Sequence, residues 1–494
     1  MKKIASGILP TIVLDRNARK SLQRQIYDSF RGGIIERRLR PGQRIPSTRA
    51  LALELGISRF PVLNAYAQLL AEGYLESRVG AGTVISTLLT DPVSSNEHNL
   101  PRAGATGLGP RPVAQRAATV TSPRNSPWLQ GIGAFGVGQV AFDQFPIPVW
   151  SRIIARRCRH MDAKAAHYGE PSGVTALRET IATYLRTSRL LHCEPEQIVI
   201  VSGSQQALEL TARVLLDPGS RVWIEEPGYG LARSVFTLAG CQLVPVPVDS
   251  EGLDVAAGIR QCRNARAAFV TPSHQFPLGV TMSAVRRFRL LEWAQATGAW
   301  IIEDDYDSEY RYGSMPIASL QGLDANARVV YIGTFSKVLF PALRLGYVVI
   351  PQDLVEPFRA VRRVMDLGPP TFSQEVLAEF IADGHFARHI RRMRGLYRER
   401  RDALAESIRS ELGAAVETLG GEAGMHMTIT LPAAGNRELE IAERAAQAKL
   451  WLWPLSSCYS GNVTRPGFVL GFGSTQVKEI RPGVRKLRSL LLIE

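Results

Sequence analysis

Residues 88–130 forbid a single core. The stretch is Pro, Ser, Ala, Gly and Asn with scattered charges, it includes Pro92, Pro101, Pro110, Pro112, Pro123 and Pro127, and no apolar period runs through it. Such a composition buries too little apolar surface to offset the entropy of ordering, so the stretch reads as a linker. The chain therefore divides into 1–87, 88–130 and 131–494. Its 494 residues, 45% of them hydrophobic, are enough for globular bodies with sizeable cores on either side.

The first body is basic. Residues 1–87 hold fourteen Lys and Arg against six Asp and Glu, a surplus of eight that is over half of the chain's +14. A separately folding basic end suits a polyanion, because neutralising phosphates releases counterions; a merely soluble basic face has the same composition. Cys158, Cys193, Cys241, Cys262 and Cys458 are odd in number, with no CxxC or other metal-ligand spacing. That pattern points to a reducing, cytoplasmic compartment, without disulfide framework or metal site. Lys2-Lys3 and the run to Leu14 are broken by Pro10 and lead into Asp15-Arg16, unlike a signal peptide. No apolar run is long enough to span a bilayer.

Leu22, Ile26, Phe30 and Ile34 repeat every four residues and predict the inner stripe of a first helix. Gly32 and Gly33 weaken it by about 1 kcal/mol each relative to Ala. Pro41-Gly42 marks a turn. Ser47 caps a second helix with Leu51, Ala52 and Leu55 inward, and Gly56 makes a sharp turn. Ser58 caps a third helix with Val62, Ala65, Tyr66 and Leu69 inward, and Gly73 ends it. Tyr74–Ser77 and Thr83–Ser86 then pair around a glycine-rich wing. This is the helix-turn-helix plan, whose second helix enters the major groove; a small helical domain for protein contact is the alternative. The run from Leu39 to Ser86, "LRPGQRIPSTRALALELGISRFPVLNAYAQLLAEGYLESRVGAGTVIS", resembles the GntR family of winged-helix regulators. The resemblance implies contact with double-stranded DNA from Arg49, Ser58, Arg59 and the wing around Arg78 and Gly80. Arg49 and Arg59 stand at helix amino-termini, where backbone amides and a guanidinium grip one phosphate together or Arg reaches a guanine edge. Pro61 departs from the hydroxyl residue frequent there; it is tolerated in a first turn but removes a contact.

From 131 onward short apolar runs alternate with helical stretches, the pattern of an α/β body with a mainly parallel sheet. Ile198–Val201, Arg221–Ile224, Gln242–Val246, Ala267–Val270, Trp300–Ile302, Val329–Ile332 and Arg344–Val349 read as strands. Chemistry in such sheets gathers at the carboxyl ends of strands, and three motifs stand there. "YIGTFSKVLFPALRLG" (331–346) carries Lys337, a residue able to form a Schiff base when partly buried, with Thr334, Ser336 and Arg344 as phosphate donors. "IIEDDYDSEYRY" (301–312) offers Asp304 for a protonated pyridine nitrogen, and the Tyr306 phenol for the ring oxygen. "VSGSQQAL" (201–208) opens a helix on Ser204 and Gln205, an anion cradle. Singly, these also read as a solvated loop lysine, a metal-type acid cluster and an ordinary helix start.

With "HYGEPSGVTALRE", "EEPGY" and "TPSHQFPLG" the motifs stand in one order, and residues 131–494 resemble the fold-type I aminotransferases that bind pyridoxal 5′-phosphate (PLP). Head and body together resemble the MocR subfamily of GntR regulators. The resemblance implies that Lys337 forms an aldimine with PLP, that Asp304 pairs with the pyridine nitrogen, and that Tyr306 bonds O3′. Tyr229 would stack on the ring, while Ser204, Gln205, Thr334, Ser336 and Arg344 surround the phosphate. Tyr168 would reach the phosphate of the other subunit in a homodimer, and Arg465 would clasp an effector carboxylate. Phe276-Pro277-Leu278-Gly279 replaces the usual Asn-Pro-Thr-Gly, so the asparagine at the ring oxygen is absent, with His274 or Gln275 as its replacement. Cofactor binding without efficient turnover is therefore expected. The function implied is a PLP-dependent regulator that senses PLP or an amino compound and controls vitamin B6 or amino-compound genes. The heads of a head-to-tail homodimer would read repeated or palindromic half-sites. The alternative is an active aminotransferase with a vestigial DNA-binding head.

Overall fold

The computed structural model describes residues 12, 14–16, 18–78, 82–89, 113–120, 128, 131, 133–161, 167–313, 317–431 and 437–492. Contacts divide the chain into two units, Met1–Arg111 and Pro112–Glu494.

In the first unit α1 (Leu22–Ile35), α2 (Thr48–Glu54) and α3 (Arg59–Ala71) precede an antiparallel hairpin of β1 (Leu75–Arg78) and β2 (Gly82–Ile85). The hydroxyls of Ser21 and Ser47 accept the Arg24 and Ala50 amides and so cap α1 and α2. Gly56 and Gly73 take φ of +61° and +77°, a region where a side chain would be strained. The core joins the three helices to the hairpin through Ile26, Phe30, Val62, Ala65, Leu69 and Ile85. Phe30 meets Tyr66 edge-on at 5.4 Å, and the Tyr66 hydroxyl donates to the Pro46 carbonyl at 3.0 Å. The stripe of α1 differs from the four-residue repeat. Ile26, Tyr27, Phe30 and Gly33 are buried, while Leu22 and Ile34 are half-buried. A helix turns once per 3.6 residues, so a strict four-residue row drifts off the core face at both ends.

Most of the stretch read as linker lies outside the described residues. Its described part forms a turn at Thr87–Leu89 and a short alanine-rich helix, Gln115–Thr119, which packs on the helix Gly230–Leu238. By its contacts this helix groups with the second unit.

The second unit is built on an eight-stranded sheet of β3 (Ile198–Val201), β4 (Arg221–Glu226), β5 (Gln242–Asp249), β6 (Gly252–Leu253), β7 (Ala267–Val270), β8 (Trp300–Asp305), β9 (Val329–Thr334) and β10 (Gly346–Val349). The spatial order is β3-β10-β9-β8-β7-β4-β5-β6. Only β10 and the edge strand β6 run against the rest, so the carboxyl ends of β3, β4, β7, β8 and β9 meet on one edge. A second sheet, absent from the sequence reading, holds β11 (Glu417–Gly420), β12 (His426–Thr430), β13 (Trp453–Pro454) and β14 (Gly467–Gly471), all antiparallel, in the order β11-β12-β14-β13.

Strand β8 runs three residues past the expected Ile302, through Glu303, Asp304 and Asp305, all buried. The acids are tolerated because two have partners. Glu303 accepts the Leu320 and Gln321 amides at 3.0 Å each. Asp305 accepts the Tyr331 hydroxyl at 2.6 Å and pairs with buried Arg189. No helix among the described residues is long and apolar enough to cross a membrane.

Phe30→Ala removes the central ring of the first unit, at a cost of about 3–5 kcal/mol. Hydrogen exchange followed by mass spectrometry should show residues 18–78 losing protection while the eight-stranded sheet keeps its own.

Candidate cofactor site and nucleic-acid interface

The strand ends of the second unit surround a cavity of about 340 Å3. β9 ends in Thr334 and leads to Ser336 and Lys337. β8 ends by Asp304 and leads to Tyr306 and Asp307, β4 leads to Tyr229, and β3 opens through Gly203 into the helix Ser204–Leu215. Of the residues assigned to the cofactor from sequence, Lys337, Asp304, Tyr306, Tyr229, Ser204, Gln205, Thr334, Ser336 and Arg344 all line it.

One end is built for an oxyanion. Gly203 has φ +89°, and a Cβ there would stand 3.4 Å from the Arg344 guanidinium. The backbone can thus bring the first amides of the Ser204–Leu215 helix beside Arg344. Arg344 itself is in the left-handed region, φ +52°, and donates to the Ser202 carbonyl at 2.6 Å, which aims the guanidinium. The Ser204, Thr334 and Ser336 hydroxyls complete the cradle. Gln205 lines it too and donates to the Tyr229 hydroxyl at 3.3 Å.

The other groups fit a pyridine ring with an aldehyde. Asp304 Oδ1 is buried and has no hydrogen-bond partner. Burial, then the carboxylates of Asp305, Glu225 and Asp307, raise its pKa from 3.8 to about 7. A protonated ring nitrogen would supply the missing donor and charge. Burial lowers the Lys337 pKa, against the opposing charges of Asp307 and Asp304, which favours the neutral amine needed to attach a carbonyl. Its Nζ donates to the Gly138 carbonyl at 3.1 Å, and a Cβ on Gly138 (φ +76°) would sit 2.4 Å from it. PLP bound here would supply an electron sink, its phosphate held by the cradle, its ring nitrogen by Asp304 and its carbonyl carbon by Lys337.

Two assignments fall outside the cavity lining. His274 and Gln275, expected at the ring oxygen, do not line the cavity. His274 lies behind Tyr306, its Nδ1 3.1 Å from the Tyr306 hydroxyl and 3.0 Å from Asp307, while the Tyr306 hydroxyl donates to the His274 carbonyl at 2.8 Å. His274 therefore positions Tyr306. Gln275 is spent on Glu225 and on the Pro227 and Phe276 carbonyls. Arg465 is exposed and away from the cavity. The register of β12 and β14 sets Gly471 against His426, at the cavity, and Gly467 against Thr430. Arg465 lies two residues before Gly467, in the bend that leads into β14. Tyr168, expected to serve the other subunit, is 86% exposed and outside its own chain's cavity.

Sequence reading missed Val137, Gly138, Leu231, Met425, His426 and Trp453, which line the cavity from segments without a motif. Asp307, in the same acidic run as Asp304, was within its reach. His274, Asp307 and His426 bring ligand-type atoms within 4.8 Å of one another. Asp307 is engaged by His274 and by the Met425 amide, and His426 Nε2 by the Pro277 carbonyl at 3.2 Å.

In the first unit Arg49, Ser58 and Arg59 are exposed at the starts of α2 and α3. Ser58 is the N-cap of α3, yet its hydroxyl makes no capping bond. Arg59 Nε donates to Thr48 Oγ1 at 3.0 Å, tying the two helix starts together. Phe60 and Leu63 stand exposed on α3, 69% and 44%, apolar groups of the kind that meet thymine methyls. The backbone of Arg78 ends β1; its side chain and Gly80 lie outside what is described. Arg44 lies against Gly82 at the base of the wing, a cation the sequence did not single out.

Two outcomes follow from the cavity. Lys337→Ala should abolish the adduct that borohydride fixes between PLP and the protein, read as a PLP-mass increment on the peptide spanning residue 337. In PLP-free protein the raised pKa of Asp304 means that stability is lost as pH climbs from about 4 to about 7. Asp304→Asn should therefore match the parent below pH 4 and exceed it above pH 7 by on the order of 4 kcal/mol. Thermal unfolding at both pH values checks this, and PLP should stabilise the parent far more than the variant.

Residues 132–468 match the family model described as aminotransferase class I and II, and residues 22–85 match bacterial regulatory proteins, gntR family. The chain is 40% identical over 482 residues to the probable rhizopine catabolism regulatory protein MocR of Rhizobium meliloti, covering 97% of this chain and 96% of that one. It is 31% identical over 472 residues to the HTH-type pyridoxine biosynthesis transcriptional regulator PdxR of Corynebacterium glutamicum, covering 95% and 96%. A Pyrococcus horikoshii kynurenine aminotransferase, solved in complex with PMP, matches with a TM-score of 0.71 and 29% identity over 77% of this chain and 96% of that one. The cofactor of this fold is PLP. The chain belongs to the MocR-like GntR regulators, in which a gntR helix-turn-helix domain is joined to an aminotransferase class I and II domain.

Proposed function

We propose that the chain is a transcription regulator whose binding to its operator is set by PLP, or by an amino compound meeting PLP, at Lys337. The observation that carries this reading is the intact DNA-reading edge of the head. Arg49, Ser58 and Arg59 remain exposed at two helix starts, and neither arginine makes an ion pair among the described residues. A head kept only as a vestige has no need of that edge. A ligand shifts a regulator only through unequal affinity for its two states. The loops that hold PLP are also the ends of the strands that carry the body's core, so occupancy bears directly on its conformation.

Tyr168, exposed and clear of its own chain's cavity, supports a homodimer in which it serves the other subunit's phosphate. Two heads so joined would read repeated or palindromic half-sites, one or more helical turns apart. The names of the two regulators above, for rhizopine catabolism and pyridoxine biosynthesis, support control of amino-compound or vitamin B6 genes. Lys337, Asp304 and Tyr306 standing in place favour one other reading, a working aminotransferase; steady turnover of an amino acid with a keto acid would establish it.

In a gel shift with the chain's own upstream DNA, PLP-loaded and PLP-free protein should differ in affinity or pattern; identical behaviour, together with indifference to amines, would refute the reading. Arg59→Ala should weaken the shift by roughly 5- to 150-fold and leave the absorbance of bound PLP unchanged. Loss of that absorbance would contradict the separation of DNA reading from cofactor binding.

A further inference from the structure

Away from the phosphate cradle and Lys337, the cavity walls carry aromatic and aliphatic groups and, among the described residues, no cation. Tyr229 meets Phe276 edge-on at 5.8 Å, and Phe276 meets His426 at 5.5 Å and Trp453 at 5.6 Å, one continuous aromatic surface. Leu231, 45% exposed and two residues after Tyr229, adds an aliphatic group. Arg344 is the sole guanidinium lining the cavity among the described residues, and it belongs to the phosphate cradle. Lys337 is the attachment point of the cofactor.

His426 does not make up the deficit. Burial, then the neighbouring charge of His274, drives its pKa well below the ordinary histidine value, so the ring is neutral, and its Nε2 is engaged by Pro277. Asp307 adds a carboxylate to the same space. A carboxylate on a ligand would here give up hydration, gain no charged donor and face Asp307. An anion transferred without a partner into such surroundings is strongly disfavoured. The arginine expected to receive it, Arg465, is exposed and does not line the cavity.

We propose that the cavity selects primary amines whose body carries no carboxylate or other anionic group, the uncharged body lying against the Tyr229, Phe276 and Trp453 surface. Apolar chains and rings gain there by burial, and hydroxylated ones by setting C–H faces on the rings while their hydroxyls turn to the open side. This rests on the reading of the chain as an amine-responsive regulator and names the class of amine.

The test titrates PLP-loaded, full-length protein with matched pairs: phenethylamine against phenylalanine, and aminobutanol against gamma-aminobutyrate. Binding is followed by calorimetry, and the response by the gel shift. In each pair the carboxylate-free amine should act at roughly tenfold lower concentration or less, the scale of one charged hydrogen bond. Leu231→Arg, at a half-exposed position with room for a longer side chain, should bring the carboxylated members level or ahead. Equal or tighter binding of the carboxylated members by the unaltered protein would overturn the inference and leave amine sensing standing. Indifference to every member would overturn both.

Discussion

A buried carboxylate without a partner governs this molecule. Asp304 stands one residue before the end of the central strand β8, with one oxygen unbonded and its pKa raised to about 7. Its neighbours in the strand, Glu303 and Asp305, are each matched, by two backbone amides and by Arg189 with Tyr331. The fold thus satisfies every acid of the strand but the one that faces the cavity. A protonated ring nitrogen completes the set. The oxyanion cradle and Lys337 follow the ends of β3 and β9 on the same side of the sheet and line the same cavity.

That arrangement also explains what was legible in the sequence. The motifs around Lys337, Asp304 and Ser204 are short, local and set at strand ends, and the parallel sheet brings them to one edge. Long-range assembly needs no further information there than the order of the strands. The head was legible for a similar reason. Ser47, Gly56 and Gly73 act within a few residues of themselves, through capping bonds and left-handed backbone.

What the sequence did not disclose depends on register and depth. Glu303 and Asp305 look like loop residues, because their partners, Leu320 and Gln321 for the one, Tyr331 and Arg189 for the other, lie elsewhere along the chain. Arg465 precedes β14 by two residues in an exposed bend, while the second sheet reaches the cavity through His426 and Trp453. His274 has the chemistry to touch a ring oxygen but lies one layer too deep, behind Tyr306. Gly138 and His426 reach the cavity from segments that carry no pattern of their own.

The central claim is that exchange at Lys337 is what the DNA-reading head reports. The most direct measurement uses protein in which borohydride has fixed PLP to that lysine, compared with unreduced PLP-loaded protein in a gel shift with and without an amine that elicits a response. The account predicts that the reduced protein binds DNA as the PLP-loaded form does and ignores the amine. A reduced protein that still responds to the amine would place its sensing elsewhere and contradict the account.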